Sequence, residues 1–582
     1  MSQKALPLEE IEKVDGDIPT LLPGSNLPSV PFPNRHNRHR SKPPVSPSTP
    51  YAVTEETNPE ALALAFSARR KWMILGIIFL VQTSMNLNTS LYANGQAGMA
   101  EEFNVSSQTT VTGAAVFLIT YAFGCELWAP WSEELGRRLV LQCSLFLVNL
   151  SCLPVALAPF GMTSVLVGRS FGGLFSAGGS VTLGMVADMF MADHQEYPLA
   201  FIVLSSVGGS IVGPIIGGFV QTYLPWQWTI WFQLIFGVCV QGLHYALVPE
   251  TRSTVRLDAH AKRLRSKGQV PGAFGPSEHM TWRQYAMPRE VLTIWLRPFR
   301  MFVTEPIVSV LSALSGFSDA LIFMQIQSFG MVFKLWNFSV VQTGLAFIPI
   351  GVAYILAYLL FIPVIRRNRQ LRLMKPTCEH AQYESRLWWL LYTAPCLPIG
   401  LLIFAWTSTA SVHWIAPMVG CMFIGIANYT IYMATIDYMV AAYGPYSASA
   451  TGGNGFARDF LAGVLTFFAS PYYTAFPGKF GLQTANTILA GISTLLVVAT
   501  FVIYFKGPSM RRRSPFAQSL VILLPETPVT PETSEAPVIP ETPAIPETPA
   551  IPETPAIPET PAIPETPAIP ETPATLPIDV PV

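Results

Sequence analysis

The chain is 582 residues long, half of them hydrophobic, with only 12% charged side chains and a formal net charge of −1. Soluble globular chains carry about 25% charged residues, so a single water-soluble domain is excluded. The near-neutral total is a basic set of loops cancelled by an acidic tail, and no nucleic-acid partner is expected.

In chain order, residues 1–68 are polar and proline-rich, carry no secretory signal, and read as a disordered arm with a basic patch at Arg35, Arg38 and Arg40. A hydrocarbon core needs about 20 apolar residues per helix. Such windows recur near 72–92, 109–130, 139–158, 163–187, 198–222, 228–248, 304–329, 341–365, 387–407, 412–437, 449–472 and 482–505. The expected fold is therefore all-α and polytopic, with twelve membrane spans in two six-helix halves, 69–248 and 301–510. A long basic cytoplasmic loop, 249–300, divides them.

Arg69, Arg70, Lys71, Arg137, Arg138, Arg366, Arg367, Arg369, Arg372, Lys375 and the Arg511–Arg513 run fall in one set of alternate loops, and the other set holds only Lys334 and Lys479. That bias places both termini in the cytoplasm. The sequons at Asn104 and Asn337 then fall in outer loops and are glycosylation candidates, whereas those at Asn88, Asn149 and Asn428 lie within spans. The tail, 511–582, contains Pro-Glu-Thr-Pro-Ala-Ile hexapeptides starting at Pro540, Pro546, Pro552, Pro558 and Pro564. Two prolines in six forbid a helix, so the tail reads as a disordered repeat expansion without a role in transport. The seven cysteines show neither metal-ligand nor disulfide spacing, and no phosphate-binding loop occurs; no metal and no cofactor is expected.

Several segments carry chemistry. After span 2 comes Trp128-Ala-Pro-Trp-Ser132-Glu133-Glu134-Leu-Gly136-Arg137-Arg138, where Gly136 suits a tight turn and acid and arginines can bind helix ends. Arg169 lies inside span 4, where a charge costs roughly 2.5–3.5 kcal/mol and is retained for function or paired inward. Span 5 contains Gly209, Gly213, Pro214, Gly217 and Gly218, small residues that let helices approach closely and a proline that permits a bend. Asp319 sits mid-way along span 7, and Arg458 and Asp459 adjoin in span 11. A buried carboxylate can bind and release a proton as water access alternates, which makes Asp319 the first candidate carrier and Asp459 the second. Adjacent helical residues point about 100° apart, so Arg458 and Asp459 need not pair with each other. Glu126 and Glu305 lie nearer the span ends and are weaker candidates.

The span-5 glycine pattern resembles the antiporter motif of major facilitator superfamily exporters. The loop after span 2 is similar to the version of the superfamily's signature loop found in fungal drug:proton antiporters of the twelve-span type. Val248-Pro-Glu250-Thr-Arg252 after span 6 and Tyr443-Gly-Pro-Tyr-Ser before span 11 add to the likeness, which covers about residues 70–510. The resemblance implies a fold of two six-helix halves and a gating loop formed by Glu133, Gly136, Arg137 and Arg138 with Asp188, the acid ending span 4. It also implies that Arg169 takes part in proton coupling, although Gly172 stands where the family has glutamine. The implied function is proton-coupled efflux of drugs, toxins or a fungal secondary metabolite across the plasma membrane (the vacuolar membrane being the alternative), by a monomer and without enzymatic activity. Its partners are protons, the small-molecule substrate and the lipid bilayer. Two rival readings remain: a nutrient importer of the same fold, and a membrane receptor that signals through its tails.

Overall fold

The computed structural model describes residues 51–517 apart from 177, 192–193, 279–287, 477 and 479. The repeat tail and the first 50 residues, with the basic patch at Arg35, lie outside the described residues. The first half comprises α1 (Ala68–Glu102), α2 (Ser107–Glu134), α3 (Arg137–Leu157), α4 (Met162–Phe175), α5 (Gly178–Met189), α6 (Glu196–Tyr223) and α7 (Gln227–Leu247). After the linker helices α8 (Ser253–Ser266) and α9 (Pro288–Thr304), the second half comprises α10 (Pro306–Val332), α11 (Val340–Leu345), α12 (Ile348–Met374), α13 (Trp388–Thr393), α14 (Cys396–Thr407), α15 (Ile415–Tyr443), α16 (Ser447–Thr474) and α17 (Gly481–Arg511).

Ten of the described stretches are helical, long and apolar enough to cross a membrane. The other two of the twelve spans are the α4–α5 pair and α16. Span 4 breaks because Ser176 turns to an extended backbone, with its hydroxyl donating to the Gly172 carbonyl at 2.9 Å. Span 9 likewise breaks between α13 and α14, where Pro395 precedes Cys396. Helix α16 carries Asn454, Arg458 and Asp459 on its buried side, which lowers its hydropathy below that of its neighbours.

Helix α1 shows how polar residues are kept inside a membrane fold. Gln82, Ser84, Asn86, Asn88, Thr89 and Ser90 are all buried. Gln82 donates to Ser206 of α6, Ser90 to the Gly209 carbonyl, and Gln233 of α7 to Ser84. A buried polar group without a partner is costly, and these pairings set the register of α1 against α6 and α7.

Two sequence expectations need correction. Residues 51–67, expected to belong to a disordered arm, are ordered. Tyr51–Ala52 (β1) pairs in parallel with Ala273–Phe274 (β2) of the central loop, and Val53, Ala61 and Leu62 bury against Leu257, Ala261 and Ala273. The apolar residues of 61–66 supply enough surface to order this segment, and Arg256 fixes it by donating to the Ala61 carbonyl and stacking on Phe66. Residues 249–300 are correspondingly more than a loop, holding α8, β2 and most of α9. Arg265 closes this lobe with two hydrogen bonds to Glu278, at 2.6 and 2.7 Å, which hold the Glu278 carboxyl down at about 2. Their contribution is present above the ordinary carboxylate value of about 4.3 and is lost as pH falls toward 2.

Candidate functional site

The two halves enclose a cavity of about 470 Å³. Its mouth lies among Glu133, Arg137, Asp188 and Arg252 on the arginine-rich face, and it reaches inward to Glu126, Arg458 and Asp459. At the opposite face the halves touch. Gln108 of α2 donates to the Phe467 carbonyl of α16 at 2.7 Å, and a Cβ on Gly344 of α11 would lie 2.7 Å from the Pro214 carbonyl of α6.

Of the expected gating loop, Glu133, Gly136, Arg137 and Asp188 come together near the mouth, while the Arg138 side chain turns away. Gly136 has φ 99°, a conformation that favours glycine, and turns the chain into α3. Arg137 reaches Asp188 at 3.2 Å, Ser132 at 2.6 Å and Glu133 at 3.7 Å, in space left by Gly184, whose Cβ would lie 2.6 Å from the guanidinium carbon. Arg252 adds a second charge to Asp188 at 3.9 Å. Arg138 instead donates to the Tyr245 carbonyl and stacks on that ring. Glu250, whose role the sequence did not suggest, accepts from the backbone N–H groups of Arg137, Arg138, Thr251 and Arg252 at 2.9–3.1 Å. A carboxylate suits the positive end of the α3 dipole. All of these contacts lie within the first half and the opening residues of the central segment, and none reaches the second half.

In span 5 the glycines face two ways. Gly209, Gly213 and Gly217 pack against Asn86, Ser90 and Asn94 of α1, while Gly218 lies against Val340 and Gly344 of the second half. Pro214 sits inside α6.

The inner end of the cavity holds the charged centre. Arg458 lies 3.3 Å from Asp459 and 3.8 Å from Asp319, with its guanidinium 4.2 Å from the Tyr432 ring centroid. The adjacent pair does meet, because the long arginine side chain folds back to its neighbour while also reaching α10. Asn428 of α15 holds Ser318 and accepts from Tyr354 beside this centre. Arg458 Nη1 and Asp459 Oδ2 are buried with no hydrogen-bond partner among the described residues.

Arg169 does not join this centre, and it pairs with no carboxylate among the described residues. Its charge is met by the Asn88 carbonyl at 2.9 Å, Asn88 Oδ1 at 3.0 Å and the Gly113 carbonyl at 3.3 Å, between the rings of Phe117 and Tyr92 at 4.0 and 4.4 Å. An inward ionic pairing is thus replaced by dipoles and cation–π contact.

One cluster went unanticipated. Glu196, at the start of α6, takes Arg372 at 2.6 Å and Arg386 at 3.1 Å from the second half, and Arg386 also bonds Asp437. The two pairs made by Glu196 cross between the halves on the arginine-rich face. The usable signal was acids at the ends of two apolar spans, Glu196 and Asp437, opposite a basic loop. Glu196→Gln removes the charge that both arginines share, so a cysteine placed at Leu199 on the cavity wall is expected to react several-fold faster with a hydrophilic maleimide. An unchanged labelling rate would remove Glu196 from the closure of this face.

Asn104 and Asn337 are exposed on the opposite face, at φ 51° and 56°, and the serine of each sequon caps the following helix. The three sequons inside spans are buried, Asn88 on Arg169, Asn149 on Gln241 and Asn428 on Ser318. No group of three or more potential metal ligands occurs among the described residues.

Comparison with known proteins fits this arrangement. The profile of the Major Facilitator Superfamily matches residues 74–466. A Penicillium rubens transporter, paaT, is 28% identical over 474 residues, 81% of this chain and 83% of its own. The Saccharomyces cerevisiae protein named "Probable drug/proton antiporter YHK8" is 29% identical over 470 residues, 79% and 88% of the two chains. A Didymella fabae transporter of the ascochitine biosynthesis cluster is 26% identical over 458 residues, 78% and 86%. The solved structure of the proton:xylose symporter XylE superposes with a TM-score of 0.53 at 15% identity, over 75% of this chain and 97% of that one. That likeness concerns the fold.

Proposed function

We propose that this chain, which belongs to the Major Facilitator Superfamily and is a multi-pass membrane transporter rather than an enzyme, expels small amphipathic molecules in exchange for protons. Relatives named as a drug/proton antiporter and as a transporter of a biosynthesis cluster support export of a drug, toxin or secondary metabolite. The loop-charge bias supports an arginine-rich face in the cytoplasm, with both termini there and Asn104 and Asn337 outside as glycan acceptors. The cavity then opens inward, in one of the two states between which the halves rock around a central site. The protein works as a monomer in the plasma membrane.

The observation that carries the reading is two carboxylates sharing one guanidinium at the inner end of the cavity. Asp319 and Asp459 both lie within 4 Å of Arg458, which leaves one negative charge in excess when both acids are ionised. A proton bound there removes the excess, so loaded and empty states favour different access. The Glu196 pairs, which cross between the halves, act as a latch on the cytoplasmic face.

The test is transport by the purified full chain in liposomes, with an imposed pH gradient and a panel of fluorescent amphiphiles. Movement of a compound against the proton flow, lost with a protonophore and in Asp319→Asn, is the expected result. Movement in the same direction as the protons would replace the exporter with an importer. Flux that keeps its gradient dependence in Asp319→Asn would shift the coupling role to Asp459.

A further inference from the structure

Glu126 differs from every other buried carboxylate near the cavity. Asp188 is shared by Arg137 and Arg252, Asp319 and Asp459 share Arg458, Glu196 takes Arg372 and Arg386, and Glu305 accepts from the Tyr443 hydroxyl. Glu126 is 8% exposed and lines the cavity, yet no hydrogen bond or ion pair reaches it among the described residues. Buried carboxylates are ordinarily paired, since an unmatched charge carries a large desolvation cost.

Its surroundings explain why it has no partner among the described residues. Across the seam between the halves stands Gly452 of α16, where a Cβ would lie 2.7 Å from Glu126 Oε1 and 3.0 Å from Oε2. The carboxylate therefore rests on bare backbone, and among the described residues no cation pairs with it. The arginines at the mouth are held by Asp188 and Glu133. At the inner end Asp319 and Asp459 already share the single guanidinium of Arg458, and Glu126 lines the same cavity beyond any ion pair with it. An anion entering there meets like charge, and a cation meets an acid with no competing partner. The walls are apolar at Leu183, Val186, Leu199 and Ile436.

We propose that Glu126 is the anionic anchor of the cavity and selects amphipathic organic cations, such as molecules with a protonated amine, as the transported class. This deepens the export reading and rests on it for the direction of movement, but binding can be tested without transport. The experiment is calorimetric titration of the purified full chain with tetraphenylphosphonium, whose charge does not depend on pH, and with triphenylphosphine oxide as a neutral analogue. The wild type is expected to bind the cation about tenfold more tightly than the neutral compound. In Glu126→Gln the two affinities should converge, while Glu126→Asp keeps the preference. A wild type that shows no cation preference overturns the proposal without any variant. So does a Glu126→Gln protein that retains the preference, or one that loses both ligands equally. A chain that prefers the cation but carries it with the proton flow would refute export and leave the anchor in place.

Discussion

Replacing Arg458 with glutamine is expected to abolish gradient-driven transport and to destabilise the second half. The side chain is 4% exposed and is the cation within reach of both Asp319 and Asp459. Removing one partner of a buried ion pair costs about 3–5 kcal/mol, because it strands the opposite charge, and here it strands two. Detergent-solubilised protein should melt earlier and elute partly aggregated. The triple change Arg458→Gln, Asp319→Asn, Asp459→Asn separates stability from coupling. With no charge left to strand, melting should return toward that of the wild type. Transport should then become downhill only, insensitive to an imposed pH gradient. If Arg458→Gln alone keeps concentrative, protonophore-sensitive flux, the charged centre is structural and coupling lies elsewhere. Arg169 would be the next candidate, since it too is a guanidinium buried inside a span.

Single residues that violated their local surroundings were legible from the sequence. Asp319 and Arg458 stand out because a charge amid apolar residues is expensive, and the glycines of span 5 because they weaken a helix that nonetheless has to form. Partners were not legible, since they come from different spans. Nothing local tells that Arg458 of α16 meets Asp319 of α10, or that Glu196 of α6 takes Arg372 and Arg386 across the seam. Arg169 shows a further limit: its charge is met by carbonyls and rings, partners that every span offers and no pattern marks. Glu126 is legible as an acid in a span but reads as a weaker candidate there, because its meaning lies in the absence of a partner. The order of residues 51–67 was missed for the opposite reason. Their few apolar side chains look too sparse for a core until α8 and β2 are placed over them.

Neighbouring glycines of span 5 should respond in opposite ways to the same substitution. At Gly209 a Cβ would sit 2.8 Å from both the Asn86 Cβ and the Thr83 carbonyl, and at Gly213 it would fall on the Ser90 side chain and 2.8 Å from the Leu91 backbone nitrogen. These are backbone and branch-point atoms that cannot swing aside, so alanine there must push α1 away from α6. Overpacking of this kind costs about 1–3 kcal/mol, and it disturbs the hydrogen bond from Ser90 to the Gly209 carbonyl. At Gly208 nothing lies within 4 Å of the added carbon, and alanine is a better helix former than glycine by about 0.8–1.0 kcal/mol. Gly208→Ala is therefore expected to express and transport as the wild type does, with an equal or higher melting temperature. Gly209→Ala and Gly213→Ala should melt lower and lose most of their transport. Because α6 also meets α11 through Gly218 and Gly344, displacing α6 alters the closure of the face opposite the cavity mouth as well as the packing of the first half. A loss of flux in Gly213→Ala at an unchanged melting temperature would assign the glycines to the swing between states. Equal tolerance at positions 208, 209 and 213 would mean that the close approach of α1 and α6 is not needed for transport.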